Sequence, residues 1–441
     1  MKKKNITLYF LLSILGSLTI VFLCLFLSFW STSNSYKTQL ENIYEKNFYE
    51  SVSTINNLEV DISKLVATND LDSQRELLNS INKSCLLCAN NINLLPISFN
   101  NMTDINSLVN SLFGFSESLL ISNYDGDLIS ESDLSQLNDM HTKIQEMQYD
   151  MNMYLSKLKY DYSILDDVDF NDVENNSYTG GLLNNESSAT EIPTLIYDGP
   201  FSDSVLNKEI KGLENIEYSK DECAEKLHTI FSGFSIDYLG ETNGKFETYN
   251  FDVKGDVDLY VSVTKKGGFI LSITSLGNGG RKENKISSED GVKLAESFAY
   301  DCGLENMYMV WSQNTGNILY VNLAPIEDGV IYYTDLVKVK VDLSLGLVVG
   351  WEGVNYATNH IDREFTSSIG ILEGQEKINP LLNVIERNLC IIPGEYVGEL
   401  SAYEYICTWK NYTYYIYIDS NTGKEVNIMR VVETNNGSLL M

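Results

Sequence analysis

Apolar positions along the first half of the chain recur at helical spacing. Four stripes with steps of three and four residues run through 48–65, 78–95, 105–119 and 137–165. Each stripe places one apolar face along a helix, and such helices bury that face only against one another or against a partner. Residues 31–165 are therefore predicted to form an all-α domain, built as a helical bundle or as a coiled-coil stalk.

Polar residues at the breaks indicate where these helices begin. Ser73 and Glu76 form a Ser-x-x-Glu capping box ahead of the second stripe, and Thr103 with Asp104 precedes the third. The composition then changes, because residues 166–192 crowd carboxylates and continue with Asn, Ser and Gly. This segment is predicted to be a solvated acidic linker, and its exposed composition makes it the expected place for proteolysis.

The second half alternates apolar and polar residues with a period of two, which is typical of strands. A strand, a tight turn and a second strand occur three times, in 259–273, 337–351 and 414–428. The turn glycines Gly268, Gly346 and Gly423 lie 78 and 77 residues apart. Because glycine supplies positive φ at little cost, each pattern predicts an antiparallel hairpin.

One amphipathic helix is predicted ahead of each hairpin. Its start is marked in turn by Ser219 with Glu222, by Ser287 with Asp290, and by Asn379 with Pro380. The spacing is too long for a solenoid repeat. The second half is therefore predicted to be α+β, with three tandem domains of one helix on an antiparallel sheet. They are a first repeat (193–280), a second repeat (281–360) and a third repeat (361–441).

The first thirty residues predict a membrane anchor. Lys2, Lys3 and Lys4 precede an uncharged, mostly apolar run of 25 residues over 6–30, and a spanning helix needs about 20. A secretory signal has a shorter apolar region and a small-residue cleavage site, and residues 30–33 offer no such site. We interpret 1–30 as a cytosolic tip and transmembrane anchor that leaves residues 31–441 outside; a long cleaved signal is the alternative.

Charge and composition exclude several functions. The chain has 441 residues, with 61 acidic side chains against 31 basic ones and a net charge of −30. Such a chain repels phosphate backbones, so we expect no nucleic-acid partner. Its three histidines are far apart, which argues against histidine-rich metal chemistry. Without the three leading lysines the balance is 28 basic against 61 acidic residues, so the outer part is more acidic still, at −33.

Two motifs suggest chemistry and have simpler interpretations. Cys85 and Cys88 form a Cys-x-x-Cys pair, but both fall on the second apolar stripe, where free cysteine behaves as a small buried hydrophobe. A structural zinc needs two further ligands, and none lies nearby in the sequence. Asp342 and Asp419, each four residues before a turn glycine, fit turn chemistry better than a calcium loop. We therefore expect no metal, no cofactor and no catalytic residues.

The best candidate for a protein contact is an aromatic turn at the start of the first repeat. It consists of Tyr197, Asp198, Gly199, Pro200 and Phe201. Aromatic residues on a shaped loop can anchor an interface. The alternative is that they pack the linker onto the first repeat, because a domain junction needs such contacts.

With its anchor, its helical region broken at Leu94-Leu95-Pro96 and its three α+β repeats, the chain resembles the YpeB family of germination proteins from endospore-forming bacteria. The repeats resemble PepSY domains. The most specific stretch is 193–203, which is similar to the family's signature before the first repeat. The resemblance covers nearly the whole chain. Residues 113–116 depart from the pattern, because they lack an acidic residue beside the aromatic one.

The resemblance implies a function. Members of the family act with a cortex-lytic enzyme of the SleB type, each partner is needed for the other's presence in the dormant spore, and the PepSY part is held to restrain the enzyme. It therefore implies a membrane-anchored, non-enzymatic germination protein of the inner spore membrane, facing the cortex, with self-association left open. The alternatives are a peptidoglycan hydrolase or peptidase with an accessory PepSY region and, more weakly, a sensory ectodomain.

Overall fold

The computed structural model describes residues 2–95, 99–124, 126–158, 201, 209–275, 283–394, 398–434 and 437–441. The acidic linker 166–192 lies outside the described residues. The chain divides into two compact units. The first comprises Met1–Ser63, Leu77–Asp125 and Ile129–Thr190; the second comprises Lys64–Glu76, Gly126–Leu128 and Glu191–Met441.

Over the described residues, the predicted stripes of the first half lie on helices, which confirms the all-α prediction; residues 159–165 of the fourth stripe lie outside the described residues. They are α1 (Lys2–Ala67), α2 (Leu71–Asn93), α3 (Phe99–Tyr124) and α4 (Glu131–Leu158). Many stripe residues are buried, as at Leu58 of α1, Leu78 of α2 and Ile144 of α4, whereas the third stripe includes half-buried side chains such as Leu108 and Phe115. Between α1 and α4, the rings of Phe48 and Tyr154 meet edge to face with their centroids 5.0 Å apart. These contacts form the core of a helical bundle.

The N-terminal part of α1 is apolar and exposed. From residue 14 onward, the helix contains an 18-residue window of mean hydropathy 2.1, with none of that window buried inside the protein. Phe22, Phe26 and Phe29 are each more than half exposed. Apolar side chains arranged this way along a helix of sufficient length suit a lipid environment, so the helix is long and apolar enough to cross a membrane.

Two helices begin earlier than the sequence predicts. α2 begins at Leu71 rather than after Ser73, because Asp70 Oδ1 accepts hydrogen bonds from the backbone N–H groups of Asp72 and Ser73. Aspartate is as good a cap as serine, and Asp70 rather than Ser73 caps this helix. α3 begins at Phe99, ahead of Thr103 and Asp104, so the polar pair lies inside the helix instead of opening it.

The second unit is organised around a sheet that the structure describes as fourteen-stranded. The strands are β1 (Ser235–Thr242), β2 (Thr248–Lys254), β3 (Leu259–Thr264), β4 (Ile270–Ser275), β5 (Met307–Thr315), β6 (Ile318–Glu327), β7 (Val330–Tyr332), β8 (Val337–Asp342), β9 (Leu347–Glu352), β10 (Asn383–Pro393), β11 (Glu399–Trp409), β12 (Tyr412–Asp419), β13 (Glu425–Thr434) and β14 (Gly437–Leu440). Their order is β1-β2-β3-β4-β9-β8-β6-β7-β10-β11-β12-β13-β14, with β5 paired to β6.

All three predicted hairpins are present, as the antiparallel pairs β3–β4, β8–β9 and β12–β13. The turn glycines Gly268, Gly346 and Gly423 have φ of 55°, 70° and 73°. Asp342 Oδ1 accepts from the N–H groups of Ser344 and Leu345. In the third hairpin, Asp419 Oδ1 accepts from the N–H groups of Asn421 and Thr422. These aspartates therefore serve the turn, as their spacing predicts.

The helices ahead of the first two hairpins also follow the sequence. They are α5 (Lys220–Ile230) and α6 (Ser288–Asp301). Ser219 and Glu222 form a complete capping box on α5, and the Ser287 side chain accepts from the N–H of Asp290 on α6. Both helices pack onto one shared apolar core through residues such as Leu227 and Ala295.

The prediction for the third helix is wrong. The structure has short helices α7 (Val354–Asn359) and α8 (Ile371–Gln375), and no helix begins at Asn379. Asn379 Oδ1 instead accepts from the N–H of Leu381, which makes a turn. An asparagine side chain bonds a nearby N–H equally well in a turn and at a helix start, so the local pattern does not distinguish the two.

The repeats are joined through the sheet. β4 pairs antiparallel with β9, bringing Ile273 opposite Trp351, and β7 pairs parallel with β10, bringing Ile331 opposite Cys390. Backbone pairing therefore crosses from the first repeat to the second and from the second to the third. The boundaries at 280 and 360 stay predictions, since the sheet continues across both.

Two turn glycines give a matched test of this fold. A Cβ on Gly268 would lie 2.9 Å from Cγ of Tyr218, whereas a Cβ on Gly346 would lie 3.5 Å from Ile286. Gly346→Ala is expected to cost about 1–2 kcal/mol for its left-handed backbone, and Gly268→Ala about 2–4 kcal/mol because a clash is added. Urea unfolding of the detergent-solubilised chain, followed by circular dichroism, measures both. Equal losses would contradict the close approach of Tyr218.

Candidate protein-contact site

The candidate site is centred on a single 3-10 turn, Tyr333–Asp335, between β7 and β8. All three residues of the turn are at most 2% exposed. Because β7 pairs with β10, the turn lies where the second and third repeats meet. Two polar clusters, one around Tyr333 and one around Asp335, extend from it.

The first cluster surrounds the buried carboxyl group of Glu404 on β11. Its Oε2 accepts from the hydroxyl of Tyr333 at 2.6 Å, and its Oε1 accepts from the amide of Asn388 at 3.0 Å. Burial raises the pKa of Glu404, while these hydrogen bonds act in the opposite direction. Burial also raises the pKa of Tyr333 and Tyr417 well above the ordinary value, so both phenols stay protonated and can donate.

Phe201 packs onto this cluster. Its ring centroid lies 5.0 Å from that of Tyr417 and 5.6 Å from that of Tyr333. Its backbone has φ of 57°, which is uncommon for a residue with a side chain. The phenylalanine therefore contacts the second and third repeats, whereas the packing alternative placed it on the first. Tyr197, Asp198, Gly199 and Pro200 lie outside the described residues.

The second cluster neutralises Asp335. Arg363 Nη1 donates to both carboxylate oxygens at 3.0 Å, and His360 Nδ1 lies 2.8 Å from Oδ2. Arg363 Nε lies 3.1 Å from Oε2 of Glu399 on β11, which makes a second ion pair. Burial raises the pKa of Glu399, and the guanidinium opposes that effect. One arginine therefore bridges a carboxylate of the second repeat and one of the third.

Residues 353–363, called the connecting segment below, carry this arginine and also reach the first repeat. Tyr356 stacks between Phe269 of the first repeat and His360, at centroid distances of 5.7 and 4.2 Å. Backbone carbonyls of the segment accept from the N–H groups of Lys211 and Gly212, which lie in the first repeat ahead of α5. The connecting segment thus contacts all three repeats.

Two residues of this second cluster have the types of a catalytic pair. His360 and Asp335 resemble the base and its orienting acid in a hydrolase triad, but both oxygens of Asp335 are already committed to Arg363. Among the described residues, no group of three or more His, Cys, Asp or Glu side chains is placed to hold a metal ion. The ion pairs that Arg363 makes with Asp335 and with Glu399 hold the second and third repeats together.

Cys85 and Cys88 are placed as the packing interpretation predicts. Both thiols are buried on the apolar stripe of α2 beside Ile81 and Ile92. Burial raises the pKa of each thiol to about 12. Since the thiolate is the reactive and metal-binding form, such cysteines are inert near neutral pH.

Sequence reasoning named Phe201 and missed its surroundings. Glu404 and Arg363 are far in the chain from the turn that holds Tyr333 and Asp335, and all four residue types are common in turns and strands. The one available signal was Arg363, since the chain has only five arginines. Its partners come from other elements, so spacing could not identify them.

Comparison with known proteins finds matches over both halves of the chain. A family model for the YpeB N-terminal region matches residues 32–162, and a model for the YpeB sporulation PepSY1 and PepSY2 domains matches 179–366. The sporulation protein YpeB of Oceanobacillus iheyensis is 23% identical over 336 residues, covering 73% of this chain and 74% of that protein. The sporulation protein YpeB of Bacillus subtilis is 23% identical over 413 residues, covering 89% of this chain and 90% of that protein.

Among solved structures, the C-terminal domain of YpeB from Bacillus megaterium is similar, with a TM-score of 0.45 and 25% identity. The match covers 48% of this chain and 98% of that one.

Removing the arginine of the junction tests its role. Arg363→Ala leaves Asp335 buried without its cation, which is expected to cost about 3–5 kcal/mol of unfolding free energy. The control is Lys293→Ala, which removes an exposed pair with Glu289 and should leave the unfolding free energy nearly unchanged. Urea titration of the solubilised chain measures both. A small loss for Arg363→Ala would show that the junction does not depend on this charge.

Proposed function

Because this chain belongs to the YpeB sporulation protein family, we propose that it is a membrane-anchored, non-enzymatic germination protein that retains and restrains a cortex-lytic hydrolase of the SleB type. The observation that carries the proposal is the pair of family-model matches, one over the helical region and one over the first two repeats. Both halves of the chain therefore share the organisation of one family of sporulation proteins.

The chemistry of the described residues supports action by contact. The polar groups that look catalytic by type, such as His360 and Asp335, are engaged in holding the repeats together. The two buried cysteines of α2 have thiols with raised pKa. The relatives reported above carry the name of a sporulation protein rather than of an enzyme. A protein of this kind acts through its surface and not through a reaction of its own.

The exposed apolar part of α1 supports an anchoring role. It is long enough to cross a bilayer, and Lys2, Lys3 and Lys4 precede it. Positively charged residues stay on the cytoplasmic side of a spanning helix. We place the anchor in the inner spore membrane, with the helical region and the repeats on the cortex side, where the hydrolase acts.

The joined repeats support restraint of a partner. An inhibitor that is rigid before binding loses less conformational entropy on association. Here backbone pairing crosses the repeats, and the connecting segment contacts all three. Phe201 fixes one end of the aromatic turn 197–201 onto this framework, and Tyr197, four residues earlier, is the residue we assign to the hydrolase.

Deleting the gene tests the partnership. Dormant spores of the deletion strain should lack the SleB-type hydrolase on immunoblots, because its retention depends on this protein. Reintroducing the full-length gene should restore it, and an unrelated inner-membrane protein should be unaffected throughout. Wild-type amounts of hydrolase in the deletion spores would refute the function proposed here.

Two substitutions separate binding from packing within the aromatic turn. Tyr197→Ala should reduce the hydrolase retained in spores several-fold while leaving the unfolding midpoint of the purified chain unchanged. Phe201→Ala should lower both the retained hydrolase and the unfolding midpoint, with a stability loss of about 2 kcal/mol for the half-buried ring. Leu372→Ala, at a side chain 69% exposed on α8, is the control. Full retention in the Tyr197→Ala strain would exclude Tyr197 from the interface.

A further inference from the structure

The third repeat lacks a helix long enough to cover one face of its sheet. α5 and α6 have 11 and 14 residues, whereas α8 has five and extends only about 7.5 Å. Yet that face is fully buried. Its residues on β11 and β12 include Tyr405, Cys407, Tyr414 and Ile416, each 0% exposed. Another part of the chain must therefore exclude water from it.

The segment 64–76, which links α1 to α2, is part of the same compact unit as the third repeat. Asn379 Nδ2 donates to the carbonyl oxygens of Val66 and Thr68 at 3.2 and 3.4 Å. Val66 and Thr68 are each 1% exposed. At the rim, Lys424 Nζ lies 3.2 Å from Asp72. The segment thus occupies the position that a longer helix would take.

A carboxyl group lies buried within this contact. Glu425, the first residue of β13, accepts a hydrogen bond at 2.6 Å from the hydroxyl of Thr68, and Ser73 also hydrogen-bonds to it. A carboxylate in such a place needs compensation for its lost hydration. The two hydroxyl groups replace part of the lost hydration, but they are neutral and carry no positive charge to balance the carboxylate.

The surrounding charges do not neutralise Glu425. Asp70 repels the ionised form of Glu425. The Lys424 ammonium and the Arg75 guanidinium both form ion pairs with Asp72. On the sheet side the titratable neighbour is the thiol of Cys407, whose pKa burial raises to about 12. Burial and Asp70 together raise the pKa of Glu425 to about 7, against the opposing hydroxyl bonds.

We propose that segment 64–76 is a proton-controlled clasp on the third repeat, docked while Glu425 is protonated and loosened when Glu425 loses its proton. Thermodynamic linkage sets the direction in which docking depends on pH. A carboxyl group whose pKa is higher when docked than when hydrated favours docking at low pH, and that contribution is lost as pH rises through the docked value. The contact therefore weakens as the pH rises from the ordinary carboxyl pKa of 4.5 to about 7, and it stays weak above that.

Hydrogen exchange of the full-length chain in detergent micelles tests the clasp. Amide protection over residues 64–76, corrected for the intrinsic exchange rate at each pH, should fall by roughly tenfold or more between pH 5 and pH 8. Glu425→Gln, which cannot ionise, should keep its protection at pH 8. Glu376→Gln, at an exposed carboxyl of the same repeat, should follow the wild type.

A second variant keeps the test decisive if Glu425→Gln does not fold. Thr68→Val removes a donor that favours the ionised carboxyl, so its loss of protection between pH 5 and pH 8 should exceed that of the wild type. Equal corrected protection of the wild-type segment at both pH values would overturn the proposal. So would a folded Glu425→Gln chain that loses protection as the wild type does, or a folded Thr68→Val chain with the wild-type response.

Discussion

The second and third repeats meet across a buried negative charge, and the arrangement of the sheet-rich unit depends on how that charge is neutralised. Asp335 is 1% exposed, and taking a carboxylate this far out of water costs several kcal/mol. Arg363 offsets the cost only while its guanidinium reaches both oxygens. The same guanidinium also faces Glu399, so a change in the angle between the two repeats would disturb both ion pairs at once.

The connecting segment that carries this arginine is held by close backbone contacts. A Cβ on Gly212 would come within 2.1 Å of the carbonyl oxygen of Tyr356, and one on Gly353 within 2.7 Å of the ring of Phe269. Only glycine allows such approaches. The ion pairs fix the second repeat to the third, and these contacts fix the first repeat to the same segment. The result is a surface whose three repeats are fixed to one another before any partner binds, which lowers the entropy cost of binding.

Elements set by neighbouring residues could be predicted from the sequence, and elements set by distant ones could not. The hairpins at Gly268, Gly346 and Gly423 and the capping box of α5 follow from a few adjacent residues. Asn379 has the local pattern of a helix start, but its side chain also donates to carbonyls of Val66 and Thr68, more than 300 residues away. The partners of Phe201 were beyond prediction for the same reason, since ring contacts between separate repeats leave no periodic pattern.

The buried carboxyl groups are accommodated in two physically different ways, and the difference matters for how the protein could release a partner. Asp335 faces an arginine, which stays cationic at every relevant pH. Glu404 and Glu425 accept hydrogen bonds from hydroxyl and amide groups instead, and burial raises the pKa of both. Neutral donors stabilise an anion less than a cation does, so Glu404 and Glu425 are more sensitive to pH than a carboxylate that faces an arginine. A clasp can then loosen at Glu425 while the junction at Arg363 holds the repeats in place.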